Sequence, residues 1–168
     1  MTITASASVR VVAEEPIGVS ALDQRIPFLL SQLGAYVAEG FKARLEPLGL
    51  HPRATAVLLA LAAVDGQSQR ELYGRLGLHR NVMVTLIDTL EAEGLVERRP
   101  HPEDRRAFAV SLTERARELI PALDEAGRAL EDEVTASLSD EERAVLRQTL
   151  RRLSAAAGLI PGVHPGLA

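Results

Sequence analysis

This chain is expected to be mainly α-helical with one small β-hairpin, and three observations carry the expectation. Apolar residues recur at helical spacing on both sides of the centre, from Phe28 to Leu90 and from Leu119 to Leu153. Two segments open with serine and place glutamate three residues later, Ser68 with Glu71 and Ser139 with Glu142, the reciprocal capping pattern of a helix start. Between Gly94 and Thr113 two short hydrophobic runs flank an arginine-bearing loop, as in a hairpin. At 168 residues the chain is long enough for one domain with a real core.

Residues 1–19 are expected to be a flexible arm, since such terminal segments rarely build a core, and in MTITASASVRVVAEEP Arg10, Glu14 and Glu15 break up the apolar run that a secretion leader would need. From Pro27 to Leu48 the positions Phe28, Leu29, Leu33, Tyr36, Val37, Phe41 and Leu45 mark a long helix. Pro27 fits its first turn, where the missing N–H has no partner to lose. His51-Pro52 opens a second helix that runs through Ala54 to Val64 and is apolar nearly all round, so it is expected to be buried on several sides.

From Ser68, Leu72 and Leu76 follow at four-residue spacing, and Gly77 stands where a helix ends. Another helix begins near Arg80, with His79 a mediocre cap. Met83, Leu86, Ile87 and Leu90 form its apolar face, which leaves Asn81, Val82 and Thr85 pointing away from the core. Gly94 ends it, Leu95 enters a first strand holding Arg98 and Arg99, and a second strand carries Val110 and Leu112. Thr113 starts a helix with Leu119, Leu123, Leu130 and Val134, which Pro121 is expected to kink or interrupt. The last helix, from Ser139, sets Val145, Leu146, Leu150 and Leu153 on one side, and GLIPGVHPGLA after Ala157 is a second expected flexible arm.

Two short helices across a glycine turn form a helix-turn-helix, which can hold one helix in the major groove of double-stranded DNA. There Arg80 would meet phosphate or guanine, Asn81 adenine, Val82 a thymine methyl, and Thr85 a base or phosphate. Ser68 and Gln69 start the preceding helix, where free N–H groups favour a phosphate. The same polar face is also what an ordinary solvated helix presents. At the hairpin tip, Arg105 and Arg106 either approach DNA or merely charge the loop, with Asp104 a turn residue. Alternation sends Arg98 and Arg99 to opposite faces, so at most one meets DNA.

The segments LGLHRNVMVTLIDTLEAEGLVERR and HPEDRRAFAVSLT resemble the winged helix-turn-helix of the MarR family of transcriptional regulators. Asp104-Arg105-Arg106 followed by Val110, Leu112 and Thr113 matches the family's D-x-R wing and V-x-L-T exit strand. Two departures are His101, where the family has an acid before proline, and Ala116 in place of a glycine. The resemblance implies a MarR-like domain over 20–157, with the winged helix-turn-helix at 50–112, dimerisation helices at 20–48 and 113–157, and a tail at 158–168. It implies that Asp104 orients an arginine while Arg106 enters or lines the minor groove. It also implies a homodimeric repressor on an inverted-repeat operator, released by a small aromatic or lipophilic effector. Phe28, Gln32 and Tyr36 on one helix face, with His51 and Arg53, are the candidate effector pocket, although plain core packing explains the same residues.

The outer helices themselves point to a dimerisation layer built from two chains, with an intramolecular bundle as the alternative. The formal charge is −4, but residues 66–112 carry 7 basic and 7 acidic side chains while residues 113–168 carry 7 and 10, so the excess acid lies mainly outside the reading module. With no cysteine, disulfides, zinc–thiolate sites and thiol sensing are excluded. Four scattered histidines suggest no metal site, no cofactor motif is visible, and no stretch approaches the about 20 apolar residues of a spanning helix, so a cytoplasmic protein is expected. No nucleophile–base pair or phosphate loop marks an enzyme. The competing reading is a winged-helix protein-interaction module without DNA-binding activity.

Overall fold

The computed structural model describes residues 18–101 and 108–167. Most of the arm expected over 1–19, and the wing-tip residues Asp104, Arg105 and Arg106, lie outside these. The elements in order are α1 (Ser20–Asp23), α2 (Ile26–Leu45), α3 (Pro52–Ala63), β1 (Gln67–Ser68), α4 (Gln69–Leu76), α5 (Arg80–Ala92), β2 (Val96–Pro100), β3 (Phe108–Leu112), α6 (Glu114–Val134) and α7 (Asp140–Ala156). Short 3₁₀ turns occupy Glu46–Leu48 and Pro165–Leu167. The chain divides into two compact units, residues 1–35 and 36–168, with the boundary inside α2.

In the first unit, α1 and the opening turns of α2 expose Ile26, Phe28, Leu29, Leu30 and Leu33. In the second unit, α2 buries Leu45 completely and packs Phe41 against the core. The expected helix to Leu48 stops at Leu45, because Pro47 has no N–H to donate and its ring crowds the preceding turn; the chain tightens into 3₁₀ there.

Helix α3 is the floor of the core. Its N-cap is His51, whose Nδ1 accepts from the Arg53 amide at 3.2 Å. Ala54, Thr55, Val57, Leu58, Ala60 and Leu61 are buried, as near-continuous apolarity predicts, while Leu59 remains on the surface. Leu72 of α4 and Met83, Ile87 and Leu90 of α5 close over it with zero exposure, and Val96, Val110 and Leu112 cover it from the sheet.

The sheet has the order β1–β3–β2, all antiparallel. The hairpin registers Val96 opposite Leu112 and Pro100 opposite Phe108. β1 was not legible in the sequence, since two residues have no period; Gln67 pairs with Val110 and Ser68 with Ala109. This small strand ties the start of α4 to the wing.

Helix α6 is not interrupted at Pro121, interruption being one of the two outcomes expected there. Both Pro121 and Arg117, whose carbonyl the proline leaves without its helical donor, are exposed residues, where losing one helical hydrogen bond costs less than in a core. Its start is anchored twice. Thr113 Oγ1 donates to the Gly94 carbonyl at 2.8 Å and Arg115 to the Glu93 carbonyl at 2.8 Å. Asp65, in the turn after α3, accepts from the amides of Gly66 and Leu112, both at 3.0 Å, and pairs with Arg117. Burial raises the Asp65 pKa, but the Arg117 hydrogen bond and the two amides outweigh it and hold the carboxyl below its ordinary value.

Candidate nucleic-acid interface

The pivot of the reading module is Gly77. Its φ of +65° lies in the left-handed region that costs a side chain, and its amide closes α4 onto the Tyr73 carbonyl. Three residues, Gly77, Leu78 and His79, then redirect the chain into α5. His79 caps α5 through Nδ1, which accepts from the Asn81 amide at 3.3 Å, so the mediocre cap is nonetheless used.

With Met83, Ile87 and Leu90 fully buried, the opposite side of α5 presents Arg80, Asn81, Val84, Thr85 and Asp88 to solvent. Val82 departs from its expected position. It is half-buried and packs against the core beside Leu86, because at helical pitch it falls one turn before that residue. Val84 is the apolar side chain on the outer face, 37% exposed. Thr85 Oγ1 donates to the Asn81 carbonyl at 3.1 Å, and its hydroxyl oxygen keeps the capacity to accept.

Arg70 and Val84, which the sequence did not single out, join Gln69, Tyr73 and Arg80 beside this face, where the five line one open cleft between α4 and α5. The four-residue spacing of Arg80 and Val84 was the available signal, since it puts both on one stripe. Arg70 had none, being one exposed arginine among many.

The start of α4 is more occupied than a free helix end. Ser68 Oγ accepts from the Glu71 amide at 3.3 Å, and the Ser68 amide donates to Glu71 Oε2 at 2.7 Å. These bonds from Ser68 hold the Glu71 carboxyl below its usual range, so it stays charged. A phosphate arriving here would compete with that carboxylate for the Ser68 amide.

The strand arginines are also engaged. Arg98 reaches from β2 to Glu91 and, at 2.5 Å, to Asp88, both on α5, and with the Gln69 amide oxygen turned toward it bonds α4 at 2.9 Å. It is therefore a tie between hairpin, α5 and α4. It also neutralises Asp88, which would otherwise repel phosphate from the outer face. Arg99 is 64% exposed and pairs with Glu97 at 2.5 Å.

The residues named as a pocket divide between the two units. Phe28 and Gln32 belong to the first and are exposed. In the second, the Tyr36 hydroxyl donates to Glu133 of α6, which also pairs with Arg44, while His51 serves as the α3 cap and Arg53 follows it half-buried. The hydrogen bond to Glu133 raises the Tyr36 pKa, and the bonds from Tyr36 and Arg44 lower that of Glu133. Among the described residues no cluster of three or more metal-ligating side chains occurs, and no helix is long and apolar enough to cross a membrane.

Comparison with known proteins agrees with this arrangement. Residues 48–107 match the model of the MarR family. The HTH-type transcriptional regulator YwoH of Bacillus subtilis is 26% identical over 132 residues, 79% of this chain and 96% of that protein. The crystal structure of CouR from Rhodococcus jostii RHA1 bound to p-coumaroyl-CoA superposes with a TM-score of 0.69 at 31% identity, covering 83% of this chain and 96% of that one. A MarR-family transcriptional regulator from Rhodococcus sp. RHA1 gives 0.67 at 31% identity, with the same coverage. A helix-turn-helix braced by a three-stranded wing, flanked by long helices and similar over nearly the full length of these regulators, places the chain in the MarR family of transcriptional regulators.

Proposed function

We propose that this regulator is a homodimeric repressor that binds an inverted-repeat operator and is released by an aromatic effector. The observation that carries the DNA reading is the outer face of α5, where Arg80, Asn81, Val84 and Thr85 stand together opposite a fully buried stripe. In the major groove Asn81 pairs with adenine, Val84 touches a thymine methyl, Arg80 holds phosphate or guanine, and Thr85 bonds a base or phosphate. Gln69 and Arg70 flank the same cleft and hold the backbone. Arg106, oriented by Asp104 and joined by Arg105, works in the minor groove. The exposed apolar side of α7 supports the homodimer, and two-fold symmetry turns one half-site into an inverted repeat with centres about 10 bp apart.

The effector reading draws support from CouR, which carries p-coumaroyl-CoA in its crystal structure and is 31% identical to this chain. An effector that changes the separation of two recognition helices disengages both half-sites, and linkage requires the DNA complex to bind that effector less tightly by the same factor.

Selection of duplexes from a random pool tests the function directly. Recovered inverted repeats whose binding weakens steeply with salt are the expected result. A pool that shows no enrichment at low salt would sink the DNA reading and favour a protein-interaction module. Titration of the selected duplex with p-coumaroyl-CoA and with aromatic carboxylates then tests release; compounds that bind the protein but leave duplex affinity unchanged would refute effector control.

A further inference from the structure

After α7 the chain continues as GLIPGVHPGLA, a segment with no core of its own. Its described residues nevertheless have a defined course. Leu159 N–H donates back to the Ser154 carbonyl at 3.0 Å, with Gly158 at a φ of +71°, which turns the chain sharply off the helix end. Val163 N–H donates to the Ile160 carbonyl at 3.1 Å, with Gly162 at +75°. His164 Nδ1 then accepts from the Gly166 amide at 3.1 Å, capping the 3₁₀ turn Pro165–Leu167. Pro161 and Pro165 restrict the backbone of this path, and Gly158 and Gly162 permit its two left-handed turns.

That path ends on the reading module. A Cβ built on Gly77 would stand 2.9 Å from Val163 Cγ1, closer than a packed carbon tolerates. Val163 is half-buried, while residues 158–162 and 164–166 are exposed. The larger Ile160 is 65% exposed, so the burial of Val163 is a specific contact and not a general collapse of the tail. Gly77 is also the pivot from which α5 departs, and its missing side chain serves two needs there, the left-handed turn and the seat for Val163.

We propose that residues 158–167 form a strap that seats Val163 on Gly77 of the same chain and thereby positions the recognition helix. Val163 is a positioning residue, touching no base. Unseating it leaves Gly77, Leu78 and His79 free to flex, so α5 loses a fixed approach angle and DNA binding must order it again. The effect on DNA rests on the function proposed above; the seating itself does not.

Two experiments separate these. Because the chain has no cysteine, the double variant Gly77→Cys with Val163→Cys can form only one kind of intrachain disulfide. Under mild oxidation the expected product is an intrachain cross-link that runs as a monomer on a denaturing non-reducing gel. A cross-linked dimer would mean that the tail sits on the partner's turn, and would overturn the strap. In the otherwise wild-type chain, Val163→Gly should speed exchange of the hydrogen-bonded amides of Leu78, Asn81 and Met83 by about tenfold without changing the melting temperature, whereas Val163→Thr, which keeps the shape, should retain protection. Unchanged exchange in Val163→Gly overturns the proposal whether or not DNA binds. With a selected duplex, Val163→Gly should bind roughly tenfold more weakly than Val163→Thr. Equal affinities, with exchange altered as expected, would confine the strap to a structural role and refute its positioning of α5 for DNA.

Discussion

Helices α5 and α7 carry apolar stripes of the same design and meet opposite fates. In α5, Met83, Ile87 and Leu90 have no exposure at all. In α7, Val145 is 58% exposed and Leu153 49%, and the helix buries no residue. What holds α7 to α6 within the chain includes the ion pairs Arg143–Asp132 and Arg147–Glu131, at 3.0 and 2.6 Å, each with at least one partner well exposed to water, so they contribute little. Periodicity reveals which side of a helix is apolar, but only the surroundings reveal what covers it. The stripe of α5 is satisfied inside one chain; that of α7 stays exposed, and the proposed homodimer would cover it.

The largest effect expected from this contrast is at Leu150, on the α7 stripe. Leu150→Glu should abolish the dimer, since a charge buried without a partner costs about 3–5 kcal/mol. Sedimentation velocity measures it, and a wild-type chain that is monomeric at micromolar concentration would break the comparison outright. Leu61, wholly buried in α3, belongs to the other region. Leu61→Ala should cost about 2–5 kcal/mol through the cavity it leaves. In chemical unfolding, its loss should appear equally at every protein concentration, while that of Leu150→Glu should not.

Smaller effects sharpen the reading face. Arg106→Ala should weaken a selected duplex by about 1–3 kcal/mol across sequences, whereas Asn81→Ala should relax preference at one base of each half-site. Parallel titrations against single-base variants distinguish the two, and identical profiles would remove the division between wing and helix. The smallest change is at Asp65, which joins the sheet to α6. Asp65→Asn should lose about 1 kcal/mol at neutral pH, the scale of one net hydrogen bond. Because the folded pKa of Asp65 is lowered, its contribution is present above the unfolded value near about 3.9 and fades as pH falls through the folded one. Unfolding curves of wild type and variant should therefore converge in acid; a constant gap would exclude the carboxylate as the cause.

Some of the site was legible because local chemistry decides it. Ser68 with Glu71 and Ser139 with Glu142 cap their helices as their spacing required, and Gly77 adopts the turn that only glycine makes cheaply. Val82 was misplaced by the same reasoning, since one helical position of about 100° separates an outer residue from one grazing the core. The role of Arg98 was hidden because its partners Asp88 and Glu91 stand on a different element, and no spacing rule joins a strand to a preceding helix.

The sequence by itself determined the helix starts, the hairpin and the apolar sides, because caps, turns and periodicity act within a few residues. Its motifs were specific enough to indicate the family. Only the tertiary structure decided that β1 exists, that α6 passes through Pro121 unbroken, that Arg98 is committed to α5, and that Val163 rests on Gly77. Apart from Pro121, which stands exposed, each of these depends on which distant surface arrives opposite a residue. That is set by how all the elements pack at once, and a local pattern contains no record of it.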